Sequence, residues 1–463
     1  MKKVVTKPFD RDRTPPKQSL LLTPLFWLYE LFMIRGSRLR ITKVRMKGLK
    51  PPYLVLGTHH AFMDFIVTPL ALFPHRANYV SELEGFELYG ECFYRKLDCL
   101  GTRKFINDFA LIRNIQKVIK RGGILVQYPE ARYANVGTSS ELSPAVGKLA
   151  KMLDVPLVII NMRGNYLQSP IWNLKKRKEV RLDATITQVF TREELRKASL
   201  KEVNAAIAEF MRYDEYQWQW DTKMAVTSPD RAEGLEKPLY QCPVCGAEFA
   251  MQTDGASLSC TACNASWQMG IYGRLERTKG SEMPYRDKDV FFSHIPAWYE
   301  WERAQVMREI DRGAYTLDVS VHIESLPNAV NFIDCGSGRL RHTEEGFYLS
   351  FTDYGHAEEE TLFFPSDSLF SIHTEYDYRG KGQCVTLSTL DNTYFIYPLE
   401  KGFNATKIQF AVEYLYKKAR QTPFRCLSVG CDRLRSDAVR PRDVEQHIID
   451  FLGPQCLHGR KPI

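Results

Sequence analysis

The sequence lacks an apolar run long enough to cross a membrane securely. Residues 19–34 form an apolar stretch, but it is shorter than the roughly 20 residues that a spanning helix needs, and Pro24 and Glu30 interrupt it. Neither sign of charge strongly dominates, since 63 basic and 55 acidic residues leave a formal net charge of only +8. That excess fits an anionic partner such as a phosphate, a membrane or a nucleic acid without choosing among them. No internal repeat or low-complexity tract is present, so a repeat architecture is not expected.

A disulfide framework is not expected either. The chain has eleven cysteines, an odd number in a long sequence, whereas secreted disulfide scaffolds are typically short and even-numbered. We therefore expect a reducing, cytoplasmic compartment, in which most of the scattered cysteines act as small buried apolar side chains.

Residues 19–34 are predicted to bind a membrane surface. Trp27 and Tyr29 suit the boundary between membrane and water, and seven basic residues follow between Arg35 and Lys50. We expect a helix lying in the headgroup layer of an anionic membrane, which makes the protein peripheral or monotopic on the cytoplasmic face. The alternative is an ordinary helix packed on the domain core.

The chain of 463 residues is long enough for two or three domains of about 150 residues. Strand-like and helical patterns alternate up to residue 220, which is typical of a layered α/β domain. Residues 285–312 look helical and rich in aromatic residues. Short strand-like runs then follow one another over 315–399 and end in a helical segment at 405–420, an arrangement that resembles a pleckstrin-homology-like barrel. The expected order is an α/β domain with its membrane-associating helix at 1–220, a linker at 221–239, a cysteine-paired module at 240–268, a β-rich domain at 285–420 and a tail at 421–463 with one short helix near 444–452.

Several elements of the α/β domain are predicted individually. Short apolar runs indicate buried strands, and apolar residues at helical spacing indicate helices. The predicted strands are 53–58, 124–128, 155–161 and 180–190, and the predicted helices are 61–73, 109–121, 144–153 and 193–213.

His59 and Asp64 are candidate catalytic residues. They are five positions apart, about 140° around a regular helix, so they would not meet on one. The preceding strand places His59 in a turn, and Asp64 can then fold back from the first turns of the next helix. A carboxylate on one ring nitrogen fixes the tautomer, which leaves the other nitrogen to take a proton from a hydroxyl. No serine or cysteine nucleophile is then required.

Two further motifs follow in order. Tyr128-Pro129-Glu130-Ala131-Arg132 comes directly after a strand, and Val155-Pro156-Leu157-Val158 opens the next one. With the H-x4-D pair, residues 20–220 resemble the lysophosphatidic acid and glycerol-3-phosphate acyltransferase family, whose motifs are H-x4-D, G-x-x-F-x-x-R, F-P-E-G-x-R and a V-P-[VI]-x-P-like strand. Three of the four are recognisable.

The resemblance implies a reaction and a set of roles. An acyl group would pass from acyl-CoA or acyl-carrier protein to a lysophospholipid-like acceptor, with 1-acylglycerol-3-phosphate favoured and no catalytic metal. His59 would be the general base and Asp64 its orienting partner. Glu130 and Arg132 would line the acceptor pocket, with Arg132 on the phosphate, and Pro156 would shape the strand edge beside the acyl site.

The sequence also departs from the family motifs. Ala131 stands where glycine is usual, and Asp108 stands where the second motif has arginine. Arg103 or Lys104 could supply that cation to the substrate; otherwise they are solvated charges. The basic run 175–178 is either a solvated hairpin tip or a second anionic contact.

The cysteine module predicts a structural zinc site. Two C-x2-C pairs lie 14 residues apart, close to the usual zinc-ribbon spacing. Each pair supplies two thiolates to tetrahedral Zn²⁺, which leaves no open position for catalysis; redox thiols or iron are the alternatives. The four candidate ligands are Cys242, Cys245, Cys260 and Cys263.

Two other functions remain open from the sequence. Zinc ribbons often bind nucleic acid, but this one has few basic residues and no interleaving of basic and aromatic residues, so a nucleic-acid partner is not expected. A lipid-binding scaffold without activity is the other alternative, motivated by the altered second motif.

Overall fold

A computed structural model describes residues 7–17, 19, 22–280, 282–352 and 360–420. The predicted tail and its short helix lie outside these residues. Among the described residues, no helix combines the length and the apolar character needed to cross a bilayer.

The first part of the chain forms a mixed sheet in the order β1-β7-β6-β2-β5-β3-β4. Strands β2, β3, β4, β5 and β6 run parallel to one another, while β7 is antiparallel to β6 and parallel to β1. The strands are β1 (Arg40–Val44), β2 (Tyr53–Gly57), β3 (Asn78–Glu82), β4 (Cys99–Thr102), β5 (Ile124–Gln127), β6 (Leu157–Arg163) and β7 (Asp183–Phe190).

Helices connect the strands from β2 to β7, which confirms the predicted alternation of strands and helices. Strand β2 is buried along its whole length and β5 over most of it, as expected for central parallel strands with helices on both faces. The helices are α1 (Thr23–Met33), α2 (Asp64–Leu72), α3 (Leu83–Tyr89), α4 (Glu91–Lys96), α5 (Phe109–Lys120), α6 (Ala145–Leu153), α7 (Asn165–Gln168), α8 (Arg192–Lys197), α9 (Leu200–Phe210) and α10 (Glu215–Thr222).

The predicted continuous helix at 193–213 is wrong. The structure has two helices there, because two capping boxes occur in succession. Thr191 and Glu194 cap the start of α8, and Ser199 and Glu202 cap the start of α9. A serine side chain that accepts the N–H of the third helical residue favours a new start over continuation.

Residues 221–239, predicted as a linker, lie against the core. Val226, Ala232, Leu235 and Leu239 are buried in a cluster that extends into the cysteine module and the carboxyl-terminal part. The module itself is a four-stranded antiparallel sheet. Its strands are β8 (Met251–Asp254), β9 (Ser257–Cys260), β10 (Ser266–Met269) and β11 (Leu275–Lys279).

The carboxyl-terminal part is rich in β-structure, as predicted. Helix α11 (Ile295–Asp311) precedes an antiparallel sheet in the order β15-β14-β13-β12-β18-β17-β16, in which β12 has an irregular register at Ile323/Glu324 and the sheet curls. Helix α12 (Ala405–Ala419) follows it. The strands are β12 (Leu317–Ser325), β13 (Ile333–Thr343), β14 (Gly346–Phe351), β15 (Glu360–Pro365), β16 (His373–Glu375), β17 (Cys384–Ser388) and β18 (Thr393–Pro398).

A buried carboxylate joins the α/β domain to the carboxyl-terminal part. Glu413 on α12 accepts hydrogen bonds from Arg132 at 3.0 Å and from Ser371 at 2.7 Å, and it pairs with Arg303 on α11. Burial raises the pKa of Glu413, but Arg303 and Arg132 outweigh that effect and lower it to about 2.

We predict that Glu413→Gln lowers the free energy of unfolding by about 3–5 kcal/mol, because the buried Arg132 loses its counter-charge and Arg303, which also pairs with Glu300, loses one of its two. A urea titration at neutral pH measures this. The exposed pair of Glu344 with Lys418 provides a control, since Glu344→Gln should change the same quantity by less than about 1 kcal/mol.

The same contact predicts a pH dependence. The folded-state pKa of Glu413 lies below its ordinary value of 4.5, so its contribution is complete above that value and is lost as the pH falls toward about 2. Acid should therefore destabilise the wild type more than Glu413→Gln. Equal acid sensitivity of the two proteins would contradict this.

Candidate active site

His59 follows the carboxyl end of β2, and Asp64 is the first residue of α2. The structure brings His59 Nδ1 to 3.1 Å from Asp64 Oδ2. A carboxylate oxygen accepts, so Nδ1 is the donor in this contact, and in a neutral ring that tautomer has its lone pair on Nε2. Within the described part of the chain, Nε2 has no hydrogen-bond partner, and the ring lines a cavity.

Asp64 is held from several sides. It is fully buried, and Oδ2 also accepts the backbone N–H groups of His60 at 2.5 Å and Ala61 at 3.0 Å. Asn165 Nδ2 donates to Oδ1 at 2.7 Å. These donors fix the orientation of the carboxylate, which in turn fixes the His59 ring.

Aromatic rings confine His59. Its ring stacks on Tyr128 at a centroid distance of 4.7 Å and contacts Phe65 and Tyr133. The Tyr128 hydroxyl donates to the carbonyl oxygen of Asp64 at 3.1 Å. Gly57 leaves room for this arrangement, because a Cβ there would lie 2.6 Å from the Tyr128 ring.

Glu130 supports the His59 backbone and does not line the cavity. Its Oε1 accepts the His59 N–H at 3.0 Å, and its Oε2 accepts the Ser140 N–H at 2.8 Å and the Tyr213 hydroxyl at 3.1 Å. Burial raises the pKa of this carboxyl group. The predicted place of Glu130 in an acceptor pocket therefore does not fit its position; it holds the turn that carries His59.

The cavity beside His59 has a volume of about 490 Å³ and a mainly apolar wall. It extends from the carboxyl edge of the sheet between α5 and α6, where it contacts Leu111, Ile115, Val146 and Leu149. Gln127, Ser81 and Thr102 are among its polar lining residues. The space can hold an extended apolar chain whose reactive end lies at His59.

The two predicted phosphate-binding arginines are engaged in other contacts. Arg132 is buried in the pair with Glu413 and is outside the cavity lining. Arg103 is at the cavity wall, but its guanidinium group donates to the carbonyl oxygens of Leu326, Pro327 and Asp391 and to Thr393, at 2.8–3.0 Å. Both side chains hold the carboxyl-terminal part in place.

The residues at and near the altered motif positions have defined structural environments. Asp108 caps α5, since its Oδ1 accepts the N–H groups of Ala110 and Leu111 at 2.9 and 3.1 Å. Lys104 lines the cavity but pairs with Glu82 and contacts His373. Ala131 has φ = 55°, a left-handed conformation that favours glycine.

Pro156 lies at the opposite edge of the sheet from His59. It precedes β6, which is parallel to β2 with Leu54 opposite Leu157, whereas His59 follows β2. At about 3.3 Å per residue the two sites are separated by roughly 20 Å. The predicted place of Pro156 beside the acyl site therefore does not fit the strand direction.

His60, the neighbour of His59, is packed in the interior and does not line the cavity. It is fully buried, its ring stacks on Tyr213 at 3.9 Å, and Nε2 lies 2.9 Å from the Thr58 hydroxyl. Burial lowers the pKa of His60 well below its ordinary value. Asn165, which reasoning from the sequence did not identify, is the more informative neighbour, because it orients Asp64 from a position about a hundred residues away.

The four predicted cysteines come together. Their sulfur atoms lie within 4.8 Å of one another, and the pairs Cys242–Cys263 and Cys245–Cys260 are 3.7 Å apart. Tetrahedral zinc with Zn–S bonds of about 2.3 Å requires S···S distances near 3.8 Å. The cluster can therefore hold a metal ion, and its geometry fits zinc.

Comparisons with known proteins add little. The crystal structure of the 1-acyl-sn-glycerophosphate (LPA) acyltransferase PlsC from Thermotoga maritima aligns with 36% of this chain and 67% of its own, at 12% identity and a TM-score of 0.30. No protein-family model and no curated protein matches the chain.

We predict that Cys260→Ser reduces the metal content from about one ion per chain toward none, because three thiolates hold structural zinc poorly. Elemental analysis by plasma mass spectrometry measures this. Cys92→Ser, at an exposed cysteine outside the cluster, should keep the full content. Equal metal content in both variants would contradict the assignment.

Proposed function

We propose that this protein is an acyltransferase that moves a fatty acyl group from a thioester, acyl-CoA or acyl-carrier protein, to a hydroxyl of a lysophospholipid-like acceptor, with 1-acylglycerol-3-phosphate favoured. The observation that carries the proposal is the His59–Asp64 pair, with Nδ1 and Oδ2 at 3.1 Å, in the wall of a mainly apolar cavity of about 490 Å³. The apolar wall favours a lipid substrate. A lipid hydrolase would need the same base, and the assay with and without acceptor distinguishes transfer from hydrolysis.

The chemistry follows from the positions of the two ring nitrogens. Nε2 takes the proton of the acceptor hydroxyl as its oxygen attacks the thioester carbonyl carbon. Asp64 stabilises the imidazolium ion that forms. The carbon–sulfur bond then breaks, and the thiolate receives the proton from Nε2, so that the base is regenerated. The acyl chain occupies the apolar space between α5 and α6.

The cysteine cluster fits a structural zinc in this proposal. All four ligand positions are filled by protein, so zinc would stabilise its sheet without taking part in the reaction. We also infer a pleckstrin-homology-like domain from the curled antiparallel sheet followed by α12.

One face of α1 supports the proposal that the protein binds an anionic membrane. On α1 the side chains of Leu25, Leu28, Tyr29 and Phe32 are each more than half exposed, and their spacing places them on one face. Trp27 packs on Phe73 at a centroid distance of 4.8 Å, which attaches the helix to the domain. Such a stripe, next to the basic residues of 35–50, is suited to a lipid headgroup layer.

We predict that His59→Ala lowers acyl transfer at least about 100-fold, because it removes the general base. The assay uses the purified full chain with labelled acyl-CoA or acyl-carrier protein, and a panel of lysophospholipids and glycerol phosphate as acceptors. His322→Ala is a matched control, since His322 also faces a carboxylate, Asp334 at 3.6 Å, and lies outside the cavity lining.

Two results would contradict the proposal. One is a folded, zinc-loaded wild type that is inert with every donor and acceptor; binding of lipid vesicles without turnover would then favour a scaffold. The other is full activity in His59→Ala. Circular dichroism of each variant establishes that it is folded.

We predict that Leu28→Glu with Phe32→Glu weakens binding to vesicles of phosphatidylglycerol and phosphatidylcholine at least about tenfold, since each buried side chain contributes about 1.5–3 kcal/mol. Co-sedimentation measures this. Leu399→Glu, at an exposed apolar residue of the carboxyl-terminal part, should bind as the wild type does. Equal loss in both proteins would exclude α1 as the specific contact.

A further inference from the structure

The cavity beside His59 has two walls that come from distant parts of the chain. One wall is the α/β domain, with α5, α6 and the ends of the strands. The other consists of Ser368, Phe370, Tyr416 and Arg420. Phe370 packs on Phe105 across the junction at a centroid distance of 5.2 Å. The carboxyl-terminal part is therefore a structural component of this cavity.

The three basic side chains that the sequence motifs suggest for a substrate phosphate already have other hydrogen-bond or ion-pair partners. Arg103 has four hydrogen-bond acceptors from the carboxyl-terminal part. Lys104 pairs with Glu82, and Arg132 pairs with Glu413 outside the cavity. A substrate phosphate that reached any of them would have to displace an existing partner, which costs the hydrogen bonds and ion pair already made.

Two other basic residues of the cavity lining are candidates for binding a substrate phosphate. Lys148 on α6 and Arg420 at the end of α12 are both exposed and both line the cavity, so they lie at its open side. Within the described part of the chain, neither has a carboxylate at ion-pair distance. Lys148 comes from the α/β wall and Arg420 from the carboxyl-terminal wall.

The Arg420 side chain is held in position. Its Nε donates to the carbonyl oxygen of Asp367 at 2.8 Å, and its guanidinium carbon lies 4.9 Å from the centroid of the Tyr416 ring. Among the described residues, these contacts leave the two terminal nitrogens for another acceptor. A planar guanidinium group fixed in this way suits two oxygens of one phosphate.

We propose that Lys148 and Arg420 form a phosphate-binding pair at the open side of the cavity, so that the carboxyl-terminal part supplies substrate recognition to the His59 site. The ligand is the phosphate of a substrate whose apolar chain occupies the cavity. It belongs either to the acceptor headgroup or to the carrier of the acyl donor. The phosphate source rests on the proposed function; the phosphate site itself does not.

The test measures the binding of two probes to the full-length, metal-loaded protein. The method is ³¹P NMR titration at fixed ionic strength. sn-Glycerol 3-phosphate represents the acceptor headgroup, and adenosine 3′,5′-bisphosphate represents the nucleotide of acyl-CoA. We expect one probe to bind the wild type. Arg420→Ala and Lys148→Ala should each weaken that probe at least about tenfold, and Arg420→Lys less, because the charge remains while the two-pronged geometry is lost.

Matched controls are exposed lysines outside the cavity lining. Lys418→Ala lies on the same helix as Arg420, and Lys120→Ala lies at the end of α5; both should bind the probe as the wild type does. Lys148 and Arg420 are exposed, so each variant should remain folded, and its melting temperature checks that lost binding does not come from unfolding.

Each outcome decides a separate question. Binding of glycerol phosphate assigns the pair to the acceptor, and binding of the bisphosphate assigns it to the donor. Failure of both probes to bind, or equal binding by Arg420→Ala, Lys148→Ala and the wild type, overturns the proposal. Phosphate binding that depends on both residues, in a protein that transfers no acyl group, would support the site and overturn the proposed function.

Discussion

The carboxylate of Glu413 is the contact on which the arrangement around the site depends. It is fully buried between Arg132 from the α/β domain and Arg303 from α11. Without it the buried Arg132 guanidinium group would face its desolvation cost with no counter-charge, and Arg303, which also pairs with Glu300, would lose one of its two carboxylate partners. Because Arg132 follows Glu130 by two positions, the same segment also carries the carboxylate that accepts the His59 N–H. Helix α12 and the turn that carries His59 are thus positioned by neighbouring residues.

The two halves of the chain consequently act as one structure at the cavity. Arg103 bonds to carbonyl oxygens more than 220 residues away, and the segment 221–239 is buried in the shared core. If Arg103 bound a substrate phosphate, it would have to give up hydrogen bonds that attach the carboxyl-terminal part to the α/β domain. The His59–Asp64 pair of the α/β domain therefore faces a cavity whose other wall comes from the carboxyl-terminal part.

Features that depend on neighbours in sequence were predictable. His59 and Asp64 meet because a turn joins them across five residues, and the cysteines meet because each C-x2-C pair forms a local turn. The binding partners of Arg103 and Arg132 were not predictable, because these partners lie 223–290 residues away and no local pattern encodes them. The position of Pro156 was available in principle, since residues before and after parallel strands lie at opposite edges of the sheet.

Direct transfer to the acceptor hydroxyl, with no acylated protein, is the central claim of this account. Intact-protein mass spectrometry during incubation with an acyl thioester, combined with measurement of the released thiol, tests it most directly. We predict that thiol is released only when a lysophospholipid-like acceptor is added, while the mass of the protein stays unchanged. An acyl group on the protein before acceptor is added, or thiol release without acceptor, would contradict the account.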